Sequence, residues 1–551
     1  MPSRHVHTPI TDRSRGPQYG PAVPTTRRQF LVAGGATAAT VLMPSALAAG
    51  ARKAPPLRGG RFTDGIASGD PTPGSIALWT RVDDAAHRGT VQLEVATDKA
   101  FRKVVAHRSI TTSPAGDGSV KALVKGLRPH EQYWYRFATR TTDSPVGRFR
   151  TAPPPGSQQP VRFAYFSCQD YTHGWYNALE RMADEDVDFV VCLGDYIYDE
   201  AYHSVKGGTG VRDDTVGRML PGYDVPSAVT LEEYRRKYSL YRSDAALRAV
   251  HANVPMVAVW DDHEVADNYA GGDPTGGLPA DHGYSRKRRQ AAYRAWWENM
   301  PTFADPMYRR LRFGSTVDLI MLDQRRYRAD QPCGDAVAPA CADWDQPRDF
   351  LGARQMAWAK NSLSSSKAAW KVIGNEVMIM PTKVLGGSYF TFDSWQGYPR
   401  EREELLAHIA TNAIADVVFV TGDIHTFLAG DVRTQMGDGP SVALEFVGGS
   451  ITSAGLGESD LPVGGGQVIK GNDANPATAP ALIDALRGIN PWVQSADFDH
   501  HGYGLVEATR DAFDVRFVRL QTIKRRTTAT EPVDPFHWTV RRGQTSIVAP
   551  T

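Results

Sequence analysis

The sequence predicts an α/β fold preceded by a small all-β sandwich, and three observations carry that expectation. Between residues 60 and 151, short runs alternate apolar and polar residues between turn residues, with no helical stretch among them. From residue 161 onward, near-continuous apolar runs alternate with segments of helical spacing, the pattern of strands buried on both faces. Between the two lies Thr151–Pro160 (TAPPPGSQQP), too rich in proline for either regular element, so 152–160 reads as an interdomain linker.

The bulk properties allow such a fold. At about 150 residues per domain, 551 residues leave room for two to four domains. A composition of 41% hydrophobic, 10% aromatic and 22% charged residues is that of a globular protein with a real core. It excludes a disordered or collagen-like chain, and four cysteines exclude a disulfide framework. The net charge of +1 is unevenly placed: residues 1–48 carry Arg4, Arg13, Arg15, Arg27 and Arg28 against Asp12, so the remainder is weakly acidic. Such a body offers no electrostatic reason to expect nucleic acid as a partner.

Taken in order, the first element is an address. Thr26-Arg27-Arg28-Gln29-Phe30-Leu31 precedes an uncharged run to Met43, then Pro44 and Ala46-Leu47-Ala48. This has the charged region, short apolar region and small-residue cleavage site of an export signal, with the paired arginines of the twin-arginine type. The bland alternative is a basic tail with chance arginines. The apolar run of about 14 residues falls short of the roughly 20 a membrane span needs, and no later segment reaches that length. Residues 1–48 are therefore read as a signal peptide handled by the twin-arginine translocase. The mature chain is expected to lack a transmembrane anchor and to be secreted or held in the cell envelope. That route carries folded proteins, which suits a chain loaded with metal before export.

The sandwich strands are Ser75–Val82, Val91–Ala96, Val120–Val124 and Tyr133–Thr139. Beyond the linker, strands are expected at Val161–Ser167, Val187–Leu193, Pro255–Trp260, Val317–Leu322, Trp370–Ile373 and Val417–Val420. Helices are expected at Trp175–Asp184, Ser285–Asn299, Arg354–Leu363 and Arg400–Ala410.

In an open α/β sheet, ligands bind where the strands end. Here those ends read Ser167-Cys168-Gln169-Asp170, Gly194-Asp195-Tyr196-Ile197-Tyr198, Trp260-Asp261-Asp262-His263-Glu264, Gly374-Asn375-Glu376-Val377 and Thr421-Gly422-Asp423-Ile424-His425. One such ending is ordinary turn chemistry; five make a site. Carboxylate and amide oxygens suit a hard cation, while imidazole, phenolate and thiolate suit a transition ion.

These blocks resemble the signature of binuclear metallophosphoesterases, with Cys168, Asp262 and Asp423 departing from its usual Asp, Asn and His. Those departures, with Phe166–Cys168, Trp260–Tyr269, Arg288–Tyr293, Glu298–Pro301 and Glu445–Ser453, resemble the alkaline phosphatase D (PhoD-like) family. The resemblance covers nearly all the mature chain. It implies a four-layer αββα metallophosphoesterase-type sandwich over 161–525, a fibronectin III/Ig-like β-sandwich over 60–151, and a C-terminal tail over 526–551. Gly126-Leu127-Arg128-Pro129 before Tyr133-Trp134-Tyr135 resembles the late strands of a fibronectin III module.

The resemblance also implies a ligand set. Fe(III) (Fe3+) is expected on Cys168, Asp195, Tyr198 and His425. Ca(II) (Ca2+) is expected on a bridging Asp195 with Asp262, Asn375 and Asp423. His263 is the candidate acid for the leaving group; the bland alternative is a surface or core-satisfied histidine. Asn268 and Arg288 or Arg289 are candidates for orienting the phosphate; the run Arg286–Arg289 also reads as a solvated helix start. Cys168 alone could be a buried structural thiol and Asn375 a turn residue. Cys192, inside an apolar strand, is expected in the core. Cys333 and Cys341 are plausible disulfide partners, and His500-His501 is more simply a structural turn than a pocket wall. The expected activity is alkaline phosphatase-type hydrolysis of a small-molecule or phospholipid phosphate ester. A phosphodiesterase or phospholipase D is the alternative, and a non-catalytic exported binding protein or an iron redox enzyme are the remaining classes.

Overall fold

The computed structural model describes residues 54–548 except 84–87, 206–209, 222, 280–281, 459–460, 465–466 and 470–478. The export signal expected at 1–48 lies outside the described residues.

Two mixed sheets face each other. The first has nine strands in the spatial order His537–Arg541, Ala512–Leu520, His501–Ala508, Val161–Phe166, Phe189–Cys192, Met256–Ala258, Ile66–Thr72, Ser75–Arg81 and Ser119–Lys125. The second has seven: Arg309–Phe313, Val317–Met321, Trp370–Asn375, Val417–Thr421, Ser441–Val447, Phe427–Arg433 and Val493–Asp497. Parallel pairing holds the middle of each, through Phe166↔Cys192 and Val191↔Val257 in the first and Ile320↔Ile373 and Val372↔Val418 in the second.

The period of two along a strand explains the layering. On the second sheet, Leu319, Met321, Val372, Val418 and Val420 enter the core shared with the first sheet. Their neighbours Ile320, Ile373, Val417 and Phe419 point the other way, to a core with helices Gly352–Ser365 and Pro399–Thr411. Between the sheets Phe189 stacks on Phe163 at 5.0 Å and on Phe313 at 4.0 Å. Helices Leu231–Arg242 and Arg286–Asn299 contribute Tyr234, Tyr238, Ala295 and Trp296 to the first sheet's core, completing the four-layer αββα arrangement.

The N-terminal β-sandwich packs a four-stranded sheet, in the order Val104–Thr112, Gly89–Ala96, Gln132–Ala138 and Gly147–Arg150, on the strands at 66–81 and 119–125. The second of these layers is itself the end of the nine-stranded sheet. Gly69 pairs in parallel with Met256, and a Cβ there would overlap the carbonyl oxygens of Pro301 and Met256, so only glycine permits the join. Arg309 locks it by donating to Asp70 at 2.8 Å and to the Ala258 carbonyl at 2.9 Å. The segment 152–160 is pinned at several points: Ala152 N–H donates to Thr72 O at 3.1 Å and Ser315 N–H to Ser157 O at 2.7 Å. Residues 526–551, read from the sequence as a tail, supply the edge strand His537–Arg541. Its five residues are too short to stand out from a polar flank.

Lys121 sits in the same seam, donating to Trp297 O at 2.6 Å with its ammonium 3.8 Å over the Trp297 ring. Burial lowers this group to about 7, against the pull of Glu298 and Asp70. The unfolded chain keeps that proton to about pH 10, so between roughly pH 7 and 10 the unfolded state binds more protons and stability rises with pH. Denaturant midpoints measured across that range should climb for the native chain and flatten for Lys121→Met.

Candidate metal centre

The parallel strands of both sheets end at one place. Val161–Phe166 delivers Cys168, Phe189–Cys192 delivers Asp195, Met256–Ala258 delivers Asp261, Asp262 and His263, and Val417–Thr421 delivers Asp423 and His425. Cys168, Asp195, Asp423 and His425 hold left-handed φ of 58°, 49°, 70° and 57°. Non-glycine residues take such angles only where their surroundings enforce them. Gly194 (φ 107°) makes the approach possible, because a Cβ there would strike Asp261.

The ligand atoms fall into three overlapping sets, each within 4.8 Å: Cys168, Asp195 and His425; Asp195, Asp262 and His263; Asp261, Asp262 and Asp423. Asp195 and Asp262 are shared between adjacent sets, which outlines two neighbouring cation positions. Tyr198 joins the first, its hydroxyl 3.0 Å from Asp195 Oδ2 and 3.1 Å from His425 Nε2. His425 donates Nδ1–H to the Ala454 carbonyl at 2.9 Å, so Nε2 faces the cluster as a lone pair. Ser453 already donates to the Tyr198 oxygen at 2.6 Å, and the phenol has one proton for two acceptors. Asp195 Oδ1 is buried with no protein partner. The donor set fits a metal.

The electrostatics agree. Burial, then the Asp195 charge, pushes the Cys168 thiol well above its ordinary range. Burial and neighbouring carboxylates likewise raise Asp195 and Asp423. Asp262 goes the other way: burial works to raise it, but Arg325 and His263 outweigh that and hold it below the usual carboxylate range. Burial, assisted by His203, drives His425 down to about 3, so it presents a neutral imidazole.

Arg288, Arg289 and Asn375, three of the expected site residues, make hydrogen bonds within the protein. Arg288 is fully buried and gives its guanidinium to Asp199 (2.8 Å), Ser227 (2.7 Å), Tyr234 (3.0 Å) and the His282 carbonyl (3.1 Å). It braces Asp199, which accepts from His263 Nδ1 at 3.1 Å. Arg289 donates to the Gly271 carbonyl. Asn375 accepts from Trp395 at 3.0 Å and from Gln324, and donates to Val377 O at 2.6 Å and Thr421 at 3.0 Å, so its amide is spoken for. Asn268 lies beside the cluster: its backbone N–H donates to Asp262 at 2.6 Å and its Nδ2 to Asp335 at 2.9 Å. His263 is buried with Nε2 3.8 Å from Asp262 and 3.6 Å from Asp267.

Sequence reasoning missed Arg325 and the role of Glu264. Arg325 is fully buried, pairing with Asp261, with Asp393 at 2.8 Å, Asp262 at 3.4 Å and Asp423 at 3.5 Å. It follows strand Val317–Met321 in the polar run Asp323-Gln324-Arg325, a strand end of the kind that flagged the other five. Glu264 accepts from the backbone N–H groups of Tyr196 and Asp261, both at 2.8 Å, tying two ligand loops together.

A polar cleft of about 560 Å³ opens beside this cluster, lined by Glu200, Tyr223, Asp267, Asn268, Gln331 and Asp335. Cys333 and Cys341, eight residues apart, are disulfide-bonded next to Gly334 and Asp335 of its lining, and Cys192 is buried in the core. Opening so short a loop costs about 2–3 kcal/mol, and the same loop carries Asp335 to Asn268. The double variant Cys333→Ser/Cys341→Ser should therefore unfold earlier and show a raised KM with kcat little changed.

A family model described as PhoD-like phosphatase matches residues 163–517, and one described as PhoD-like phosphatase, N-terminal domain, matches 48–153. Alkaline phosphatase D of Bacillus subtilis (strain 168) is 36% identical over 433 residues, spanning 75% of this chain and 72% of that one. A solved structure of PhoD superposes with a TM-score of 0.75 at 33% identity, covering 87% of this chain and 90% of that chain. The purple acid phosphatase PPD1 of yellow lupin seeds shares the fold at a TM-score of 0.52 and 12% identity, over 89% of this chain and 74% of that one.

Proposed function

The chain belongs to the PhoD-like phosphatases and is a phosphoric ester hydrolase; from that premise we propose that it is an exported alkaline phosphatase working at an Fe(III)–Ca(II) centre. The observation that carries this reading is the convergence of Cys168, Asp195, Tyr198 and His425, with one buried Asp195 oxygen left without a protein partner. Thiolate and phenolate are anionic donors suited to Fe(III), so these four residues would hold the iron. Asp262 and Asp423, with Asp195 shared, are all-oxygen donors suited to calcium. When bound, the two cations supply charge for the phosphate oxygens and acidify a water for in-line attack.

The chain's own residues do the rest. His263, held by Asp199 and through it by Arg288, keeps a proton on the imidazole and gives it to the departing alkoxide. Burial alone would discharge that imidazole, but Asp262, Asp195 and Asp199 outweigh it and raise His263 well above its ordinary range. Asn268, anchored by Asp262 and Asp335, orients the phosphate at the cleft floor. Asn375 braces Thr421 and Trp395 behind the ligand loops rather than binding a cation.

The test is turnover of a chromogenic phosphomonoester and its diester by the chain from Ala49, with iron present and calcium added or withheld. Calcium-dependent turnover favouring the monoester is expected. Absence of turnover on either ester with both metals bound would sink the reading. Export is tested separately, since Arg27→Lys with Arg28→Lys should trap the precursor inside the cell.

A further inference from the structure

His500 and His501 part company in the fold. His500 closes a turn on Asp497 at 2.8 Å, whereas His501 turns inward and places Nε2 3.1 Å from Glu458 Oε2. From a remote part of the chain, His173 brings its own Nε2 to the same oxygen, also at 3.1 Å. All three atoms lie within 4.8 Å of one another, and both histidines are only 5% exposed. None of the three residues belongs to the catalytic cluster.

The hydrogen-bond partners of the two histidines fix where their lone pairs point. The Ser450 hydroxyl donates to the Ser453 carbonyl, so its oxygen accepts from His501 Nδ1–H at 2.9 Å. That leaves His501 Nε2 as a lone pair aimed at a carboxylate oxygen. Lys524, which has only donors, reaches His173 Nε2 at 2.9 Å, so this nitrogen too presents a lone pair, while His173 Nδ1 is buried without a partner. The His501 Nε2 lone pair thus faces the Glu458 oxygen directly, while the His173 Nε2 lone pair is taken by the Lys524 ammonium. Lone pairs at that spacing repel unless a cation lies among them. The Lys524 ammonium, 3.6 Å from Glu458 Oε1 and on a 40% exposed side chain, approaches from the solvent side.

We propose that His173, Glu458 and His501 form a second, structural site for a transition metal of the zinc class, with solvent completing the coordination where Lys524 now stands. Two imidazoles and one carboxylate are a zinc donor set, and Ser450 on the far nitrogen of His501 is the outer hydrogen bond that such ligands carry. The site's purpose lies in what it fastens. Glu458 also accepts from the Gly455 N–H at 3.2 Å, and the strap 450–458 supplies Ser453 to Tyr198 and the Ala454 carbonyl to His425. A metal on Glu458 would clamp the strap that backs two ligands of the catalytic centre.

The experiment soaks crystals of the iron- and calcium-loaded chain in zinc and measures anomalous scattering at the zinc edge, beside thermal midpoints in solution. A peak among His173, Glu458 and His501 is expected, with a zinc-dependent rise in midpoint that His501→Gln abolishes while iron content stays unchanged. Ser450→Ala should weaken zinc binding about tenfold. Lys524→Ala keeps all three ligands and should bind at least as tightly, which guards against His501→Gln simply misfolding. A zinc peak confined to the catalytic cluster, or a midpoint rise that survives His501→Gln, would overturn the proposal and leave a proton as the missing cation.

Discussion

Asp195→Asn is expected to lower kcat by at least about 10³-fold and to release metal, with the fold intact. Among the described residues Asp195 is the one carboxylate whose oxygen belongs to both the Cys168–His425 set and the Asp262–His263 set. Asparagine preserves its shape and the left-handed backbone, which it tolerates well, but it removes the charge both cation positions share. Metal content should fall together with kcat, and secondary structure by circular dichroism should not change. Retained metal with unchanged turnover would show that the two positions do not depend on a shared carboxylate.

The second large effect is on stability. Arg325→Met should destabilise the metal-free chain by about 3–5 kcal/mol, the cost of removing one partner from a buried ion cluster. The methionine fills the space but leaves Asp261, Asp262, Asp393 and Asp423 facing one another without their guanidinium. Burial would raise these carboxylates, and the remaining cations cannot reach all four. Calcium should restore part of the loss, because Asp262 and Asp423 gain a replacement cation. Arg325→Lys should fall between the two, since a point charge cannot fork across several carboxylates. Urea midpoints with and without calcium check each step, and an unchanged midpoint for Arg325→Met would contradict the cluster's role.

The parts of the site legible in sequence share one property: an apolar run buried by its sheet, then a polar residue at the point where the chain leaves it. Cys168, Asp195, Asp262, Asp423 and His425 all obey it. Arg325 obeys it too, yet the run through Arg328 looks like solvated charge until the carboxylates that neutralise it are seen. Arg288 shows the opposite case: in a basic run whose Arg286 and Lys287 are exposed, it alone is buried, bracing Asp199. Helix Leu231–Arg242 stayed hidden because its buried face is Tyr234, Lys237, Tyr238, Tyr241 and Arg242, amphipathic side chains that hydropathy scores as surface. The division into two sheets was equally invisible from spacing. A strand covered on both faces has the same residues whichever sheet it joins, and the Gly69 junction rests on a single registered pair.

That junction and the late strands have a consequence for when the centre can exist. The strand that delivers Cys168 is paired on one side with Phe189–Cys192 and on the other with His501–Ala508, where Val161 meets Ala508. A nascent chain still lacking its last fifth would hold Asp195 and Asp262 but leave the Cys168 strand open along one edge. Pairings so distant in sequence form slowly. The sheet around the thiol is therefore complete only once the C-terminal strands have been synthesised.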